Sequence, residues 1–252
     1  MEPGPGRAGG IDGVLADLRA RAEHLPESMA PLRTFALTYR RTTQAVADAV
    51  DRGDFEDPAW VEEWDVVFAR LYLDALDAHL AEGTAQVPAR PWRLAFAAPP
   101  DLPALRHLLL GINAHVNYDL PQALLAVIPP GDFEDPRRLA LRRRDHERID
   151  AVLASRVGAE DAILGSRSVL DRLLTPLNRL GTVRFLREAR AKVWHNTIEL
   201  NAARVAGGTA YGDRLAELEV LSAAKIADLL APGQVVLRLA VAGFGVTLPP
   251  AG

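Results

Sequence analysis

The 252-residue chain contains no cysteine. That absence excludes a disulfide framework, a thiolate nucleophile, an iron–sulfur cluster and any zinc site of the finger type. A metal site in this chain has to be built from histidine, carboxylate and water. Lysine is almost missing as well: the 29 basic residues include only Lys192 and Lys225, and the rest are arginine. That bias reads as codon composition and carries no function. Positive charge is not in excess, since the formal net charge is −4 and the isoelectric point is near 5.9. A nucleic-acid partner held by bulk electrostatics is therefore not expected. Long apolar runs are also absent. The longest, Val235 to Leu248, is interrupted by Arg238 and two glycines and is too short to span a bilayer. The opening Met1-Glu2-Pro3-Gly4-Pro5-Gly6 lacks the basic region and apolar run of a secretory peptide. The expectation is a soluble cytoplasmic protein with no membrane partner. Nor is there a Walker A sequence, a His-Glu-x-x-His, a nucleophile elbow or a Rossmann glycine signature.

What is present is ample apolar content, 49% of residues, in a pattern that is helical almost throughout. Residues 1–10, rich in proline and glycine, read as a disordered leader. Helices are expected over Ile11–His24 and Pro31–Val50, the second with an apolar stripe of Phe35, Ala36, Tyr39, Val46 and Val50. In Gly53-Asp54-Phe55-Glu56-Asp57-Pro58, Asp57 stands where an N-cap belongs and Pro58 at the first helical position. The helix it opens should end near Gly83. The same hexapeptide recurs as Gly131 to Pro136, but the following residues do not align, so it reads as one capping device used twice rather than a duplicated domain. Between the copies lie a connector, Gly83 to Pro100, that carries Trp92, and an apolar helix, Pro103 to Ile128, that Pro121 must kink or end. Further helices are expected over Pro136–Val157, Glu160–Leu180, Val183–Val205 and Tyr211–Leu230, and the segment Val235–Leu248 as either an extended tail or one short strand. The fold class is all-α: a single bundle-like domain, residues 11–252, of seven or eight helices.

Three of the six histidines have an acidic residue four positions later: His115 with Asp119, His146 with Asp150, and His195 with Glu199. On a helix this spacing places both side chains on one face, which is how bundles assemble metal sites. His115 and Asp119, with Asn113, Asn117 and Tyr118, interrupt an otherwise buried helix, where unpaired polar groups are costly. The three neighbours are candidates to line a pocket or hold the ligands. His146 and Asp150 sit in the most charged run of the chain, Arg142 to Asp150, where either a solvated face or an inward-turned pair is open. His195 and Glu199 follow Trp194, an aromatic wall for a site, and a surface ion pair is equally open. His107 precedes His115 by two turns, about 12 Å of helical rise, suited to flank a two-metal site or a long ligand. Asp65 and Tyr39 are further pocket candidates. His24 and His79 lack acidic partners at this spacing and are expected at the surface.

Leu109-Leu110-Gly111-Ile112-Asn113-Ala114-His115 resembles the signature of a bacterial family labelled only as a domain of unknown function. Phe68-Ala69-x-x-Tyr72 and Pro91-Trp92 are similar to that family's secondary marks. The resemblance covers roughly residues 30–205 and implies a helical fold with no established activity. More distantly, His115-Val116-Asn117-Tyr118-Asp119-Leu120-Pro121-Gln122 is similar to the His-x-x-x-Asp segment and Gln-Pro element of zinc-dependent phospholipase C and the related single-strand nucleases. In that likeness His195 and Glu199 match a second ligand pair. The chain departs from it in having Pro-Gln in place of Gln-Pro, Ala123 and Leu124 where a further histidine follows, and Met1-Glu2 where those enzymes bring an N-terminal tryptophan. A mono- or dinuclear site is what the likeness implies, not a trinuclear one.

The leading expectation is a helical metal-dependent enzyme that hydrolyses an ester or phosphoester of a small molecule. His115, Asp119, His146 and Asp150 would bind a divalent ion (zinc, iron or manganese), with His195 and Glu199 as further ligands or general base. The alternatives are a metal-free cyclase or isomerase of a small apolar metabolite, with a pocket of Trp92, Tyr118 and Trp194 and with His115 and Asp119 as acid–base pair, or a non-catalytic helical protein that encloses a ligand or forms a homodimer.

Overall fold

The computed structural model describes residues 10–81, 87–164, 176–233, 239 and 243–250; the side chains of residues 105, 150, 153–164 and 176–186 are not among those described. All the regular structure among the described residues is helical. Helix α1 spans Ile11–His24 and α2 Ala30–Arg52, joined by a short 3-10 turn at Glu27–Met29. Gly53, in the left-handed conformation at φ 75°, ends α2 by turning its N–H back onto Ala49 and Val50. Helix α3 is Pro58–Leu80, α4 Arg90–Phe96, α5 Ala104–Ala114 and α6 Leu120–Val127. Then come α7 at Pro130–Glu134, α8 at Pro136–Leu164, α9 at Pro176–Ala206 and α10 at Ala210–Leu230. The leader to residue 9 and the expected stop at Gly83 lie outside the described residues, as does most of 234–242.

Both copies of the hexapeptide cap a helix. The Asp57 carboxylate accepts the Trp60 amide at 3.1 Å, and that of Asp135 accepts the amides of Arg137 and Arg138 at 2.9 and 3.3 Å. The breaks expected near Gly158 and Gly181 do not occur. Helices α8 and α9 run through these glycines, because an interior glycine costs only about 1 kcal/mol and a long helix absorbs it. The connector before Pro100 is not irregular throughout, since α4 forms inside it and buries Trp92.

The chain divides into two compact units, Met1–Arg70 with Val127–Arg172, and Leu71–Ala126 with Leu173–Gly252. In the first, α1 packs on α2 and α2 on α8, and the core includes Val14, Leu18, Ala36, Val46, Val61 and Ile128. Asp145, buried on α8, accepts the Glu56 and Asp57 amides at 2.9 and 2.8 Å and so fastens the turn before α3. Arg142 pairs with Asp57 and with buried Asp132, and its guanidinium lies 4.9 Å over the Trp60 ring. In the second unit α10 packs against α4, α5 and α9, around Leu110, Leu120, Leu124, Leu200, Leu218 and Ile226.

Candidate functional site

Pro121 neither ends the apolar helix of the second unit nor breaks it. Having no N–H, proline cannot join the ordinary ladder four residues back. The helix instead widens just before it: His115–Asp119 form a π-helical turn, and the Leu120 N–H bonds to the His115 carbonyl five residues back. Helix α5 thereby continues into α6. Such single-turn widenings are concentrated at functional sites, and this one coincides with the polar interruption of the buried helix. His115, Asn117 and Asp119 are all buried, at 3%, 1% and 3% exposure.

His115 Nδ1 lies 2.9 Å from Asp119 Oδ2, and the Trp92 indole Nε1–H donates to the same oxygen at 2.8 Å. The indole N–H makes Oδ2 an acceptor, and with Asp119 ionised the imidazole proton sits on Nδ1 and the ring lone pair on Nε2. Burial pushes the His115 pKa below its usual value, against the pull of Asp119. Burial likewise pushes Asp119 up, opposed by the bonds from His115 and Trp92. The imidazole is thus neutral near pH 7, oriented by a carboxylate that is itself held in place.

Aromatic rings wall the pair. The Tyr72 and Trp92 rings stand 6.0 and 5.8 Å from the His115 ring, at 61° and 53° to it. Tyr72 lies 5.3 Å from Trp92, and Trp92 stacks on Phe96 at 5.0 Å. The walls come from the C-terminal half of α3 and from α4. Burial raises the Tyr72 phenol, with Asp77 adding to the effect. Tyr72 is the residue that reasoning from sequence left out of the site, although it stands in the Phe68-Ala69-x-x-Tyr72 segment already singled out.

The remaining candidates have varied surroundings. Asn113 bonds the Leu109 carbonyl of its own helix and accepts from Asn117 at 2.8 Å. Tyr118 is half-buried, with its hydroxyl pKa raised chiefly by burial. Trp194 is buried. Half-buried His107 bonds the Pro99 backbone, and burial lowers its pKa. His195 and Glu199 face separate partners: His195 Nε2 is 3.0 Å from the Leu248 carbonyl, and Glu199 takes an ion pair from Arg214 at 2.8 Å. His146 belongs to the first unit, where it is fully buried with its ring 5.5 Å from that of Trp64. It therefore faces inward from the charged run, whereas Arg143, Arg144 and Glu147 stay exposed. The side chain of Asp150 lies outside the described ones. His24 and His79 are exposed. Among the described residues no three His, Asp or Glu side chains stand together in a metal-holding group, and no helix is long and apolar enough to cross a membrane.

In the first unit Asp65 and Tyr39 are buried. Asp65 Oδ2 has no hydrogen-bond partner among the described residues, and neither does Trp64 Nε1 beside it. Burial alone lifts the Asp65 carboxyl to about 7.

A family model described as a family of unknown function, DUF5995, matches residues 11–232. The match takes in most of the chain, and the chain belongs to that family. No curated protein and no solved structure matches it.

Proposed function

For this member of DUF5995 we propose an enzyme that works by proton transfer, with His115 as general base and Asp119 as the residue that orients it. One observation carries the reading: a buried imidazole whose Nδ1 is bound to a carboxylate at 2.9 Å, with that carboxylate pinned by an indole N–H. A carboxylate on Nδ1 fixes the tautomer and directs the basic Nε2 toward a reacting proton. The lowered pKa keeps Nε2 unprotonated at neutral pH. Aromatic walls suit a small apolar substrate, and a single base that removes a proton and returns it elsewhere performs an isomerisation or cyclisation.

The hydrolytic, metal-dependent reading has one observation in its favour. Proteins also use a carboxylate on Nδ1 to orient a histidine that ligates through Nε2. It requires further ligands around His115, and the described residues supply no such group. The residues as placed fit an acid–base dyad better than a shared first ligand set of His115 and Asp119, because Oδ2 already accepts two hydrogen bonds.

The test is hydrogen exchange in D2O. A panel of small apolar enolisable carbonyl compounds is incubated with the protein, and C–H to C–D exchange is followed by proton NMR. The dyad predicts catalysed exchange with at least one compound class, falling by at least about 100-fold in His115→Ala, the usual scale of a general base. Exchange that persists in His115→Ala overturns the proposal. Stoichiometric zinc, iron or manganese in protein purified without a tag, lost in His115→Ala, moves the assignment to metal-assisted hydrolysis.

A further inference from the structure

Segment 243–250 is held in the second unit by hydrogen bonds to its main chain as well as by buried side chains. Asn117 Nδ2 donates to the Phe244 carbonyl at 3.2 Å, and Asn117 Oδ1 accepts the Val246 amide at 3.3 Å. Asn196 repeats the device one step on: its Nδ2 donates to the Val246 carbonyl at 3.0 Å and its Oδ1 accepts the Leu248 amide at 2.9 Å. His195 Nε2 then meets the Leu248 carbonyl at 3.0 Å. Two odd-numbered carbonyls are taken by cationic side chains, Gly245 by Lys192 at 3.1 Å and Pro249 by Arg214. Bonding carbonyl i and amide i+2 in succession, at 244 and 246 and again at 246 and 248, is the pattern of an extended strand. Here side-chain amides stand in for the neighbouring strands. The choice left open by the sequence, strand or extended tail, resolves for 243–250 as an extended tail.

Side chains add selectivity at three points. Leu248 is fully buried and Phe244 nearly so, whereas Thr247 is exposed. At Gly245 an added Cβ would lie 2.7 Å from Lys192 Cδ and 3.1 Å from the Ala189 Cα of α9, so only glycine lets the segment approach the helix. Gly243 has φ 70°, a left-handed conformation that favours glycine. No charged residue occurs in 243–250. The family match ends at residue 232, so every groove residue lies within it and the held segment lies beyond it.

We infer that the groove formed by Asn117, Lys192, His195, Asn196 and Arg214 is a peptide-binding site, occupied in cis by residues 244–249. Its partner is an extended, uncharged polypeptide segment that presents an apolar residue, then glycine, then leucine three positions after the glycine. This is recognition by strand addition, in which main-chain bonds supply affinity and alternate side-chain pockets supply specificity. The inference is independent of the dyad proposal, since it needs no catalysis and its test reads binding only.

The probe is a fluorescein-labelled synthetic peptide of residues 242–252, followed by anisotropy against the 252-residue chain. Leu248→Asp loosens the resident tail and exposes the groove. The peptide binds that variant saturably and binds the wild type at least about tenfold more weakly, because the tethered tail competes at a millimolar-scale effective concentration. Adding Asn196→Leu to Leu248→Asp abolishes binding. No saturable binding to Leu248→Asp, or equal binding with and without Asn196→Leu, overturns the inference. Amide hydrogen exchange on the unaltered protein decides if Leu248→Asp fails to fold. An exchangeable tail frees the Val246 and Leu248 amides at least about 100-fold faster than the core amides of α9. Exchange of all of them in one global event overturns the inference.

Discussion

Two buried carboxyls illustrate how environment alone divides their roles. Asp119 Oδ2 meets His115 Nδ1 and accepts the Trp92 Nε1–H, and in the proposed dyad it orients the imidazole. Asp65 has no counterpart to these donors at its Oδ2 among the described residues, and desolvation raises its carboxyl to about 7. Folded-state values above the unfolded one, about 3.9 for aspartate, mean that folding favours the protonated form. The contribution of Asp65 to stability is fully present below pH 4 and is lost as pH rises through 7. His115 works in the opposite sense: its lowered pKa gives stability above about pH 6.5 that is lost as pH falls through the folded value. Asp65→Asn removes the alkaline penalty. The variant should gain about 2–4 kcal/mol more over wild type at pH 8 than at pH 5, read from urea unfolding at both values. An equal difference at the two pH values would show that Asp65 does not titrate in the folded protein. Both residues stood out in the sequence as polar positions beside apolar stripes, but nothing in spacing separates the paired carboxyl from the solitary one. That distinction depends on Trp92, 27 residues from Asp119.

At the scale of the element, helix starts were the most legible feature, because Asp57-Pro58 and Asp135-Pro136 state a local chemistry that the backbone obeys. Helix interiors were less so. Glycines at 158 and 181 suggest stops only when the cost of each is not weighed against the length of the helix that carries it. Pro121 is the instructive case, because a proline inside a helical pattern has three outcomes: ending, kinking or widening. The third places the π turn over His115–Asp119. Pro121→Ala restores the missing N–H and lets the turn relax to an ordinary helix. Stability should hold or rise, since an interior proline costs about 3 kcal/mol. The downfield Nδ1 proton resonance of the His115–Asp119 bond should be lost, and His115-dependent exchange should fall at least about tenfold. An unaltered resonance would mean that the widened turn does not depend on the proline.

For the whole molecule, the all-helical class was legible because period-two patterning is scarce over the entire chain, whereas the pairing of distant segments was not. Each unit takes two stretches of chain, and residues 71–126 are inserted between the halves of the first. Reading along the sequence sees composition and local period, and neither marks residue 145 as the partner of residues 56 and 57. Asp145 is wholly buried and joins positions 88 and 89 residues apart by accepting two main-chain amides, with Arg148 as a third donor at 2.8 Å. The Arg144 and Arg148 bonds to Glu56 sit at the exposed rim of the same contact. A buried carboxylate with three donors and an exposed ion pair between the same segments should not contribute alike. Asp145→Ala leaves two amides without their acceptor, and urea unfolding should show a loss of about 2–4 kcal/mol. Glu56→Gln, which keeps the turn and removes only rim charge, should leave the midpoint near that of the wild type. If both variants shift it equally, the first unit is closed by its surface charges and not by the buried staple on α8.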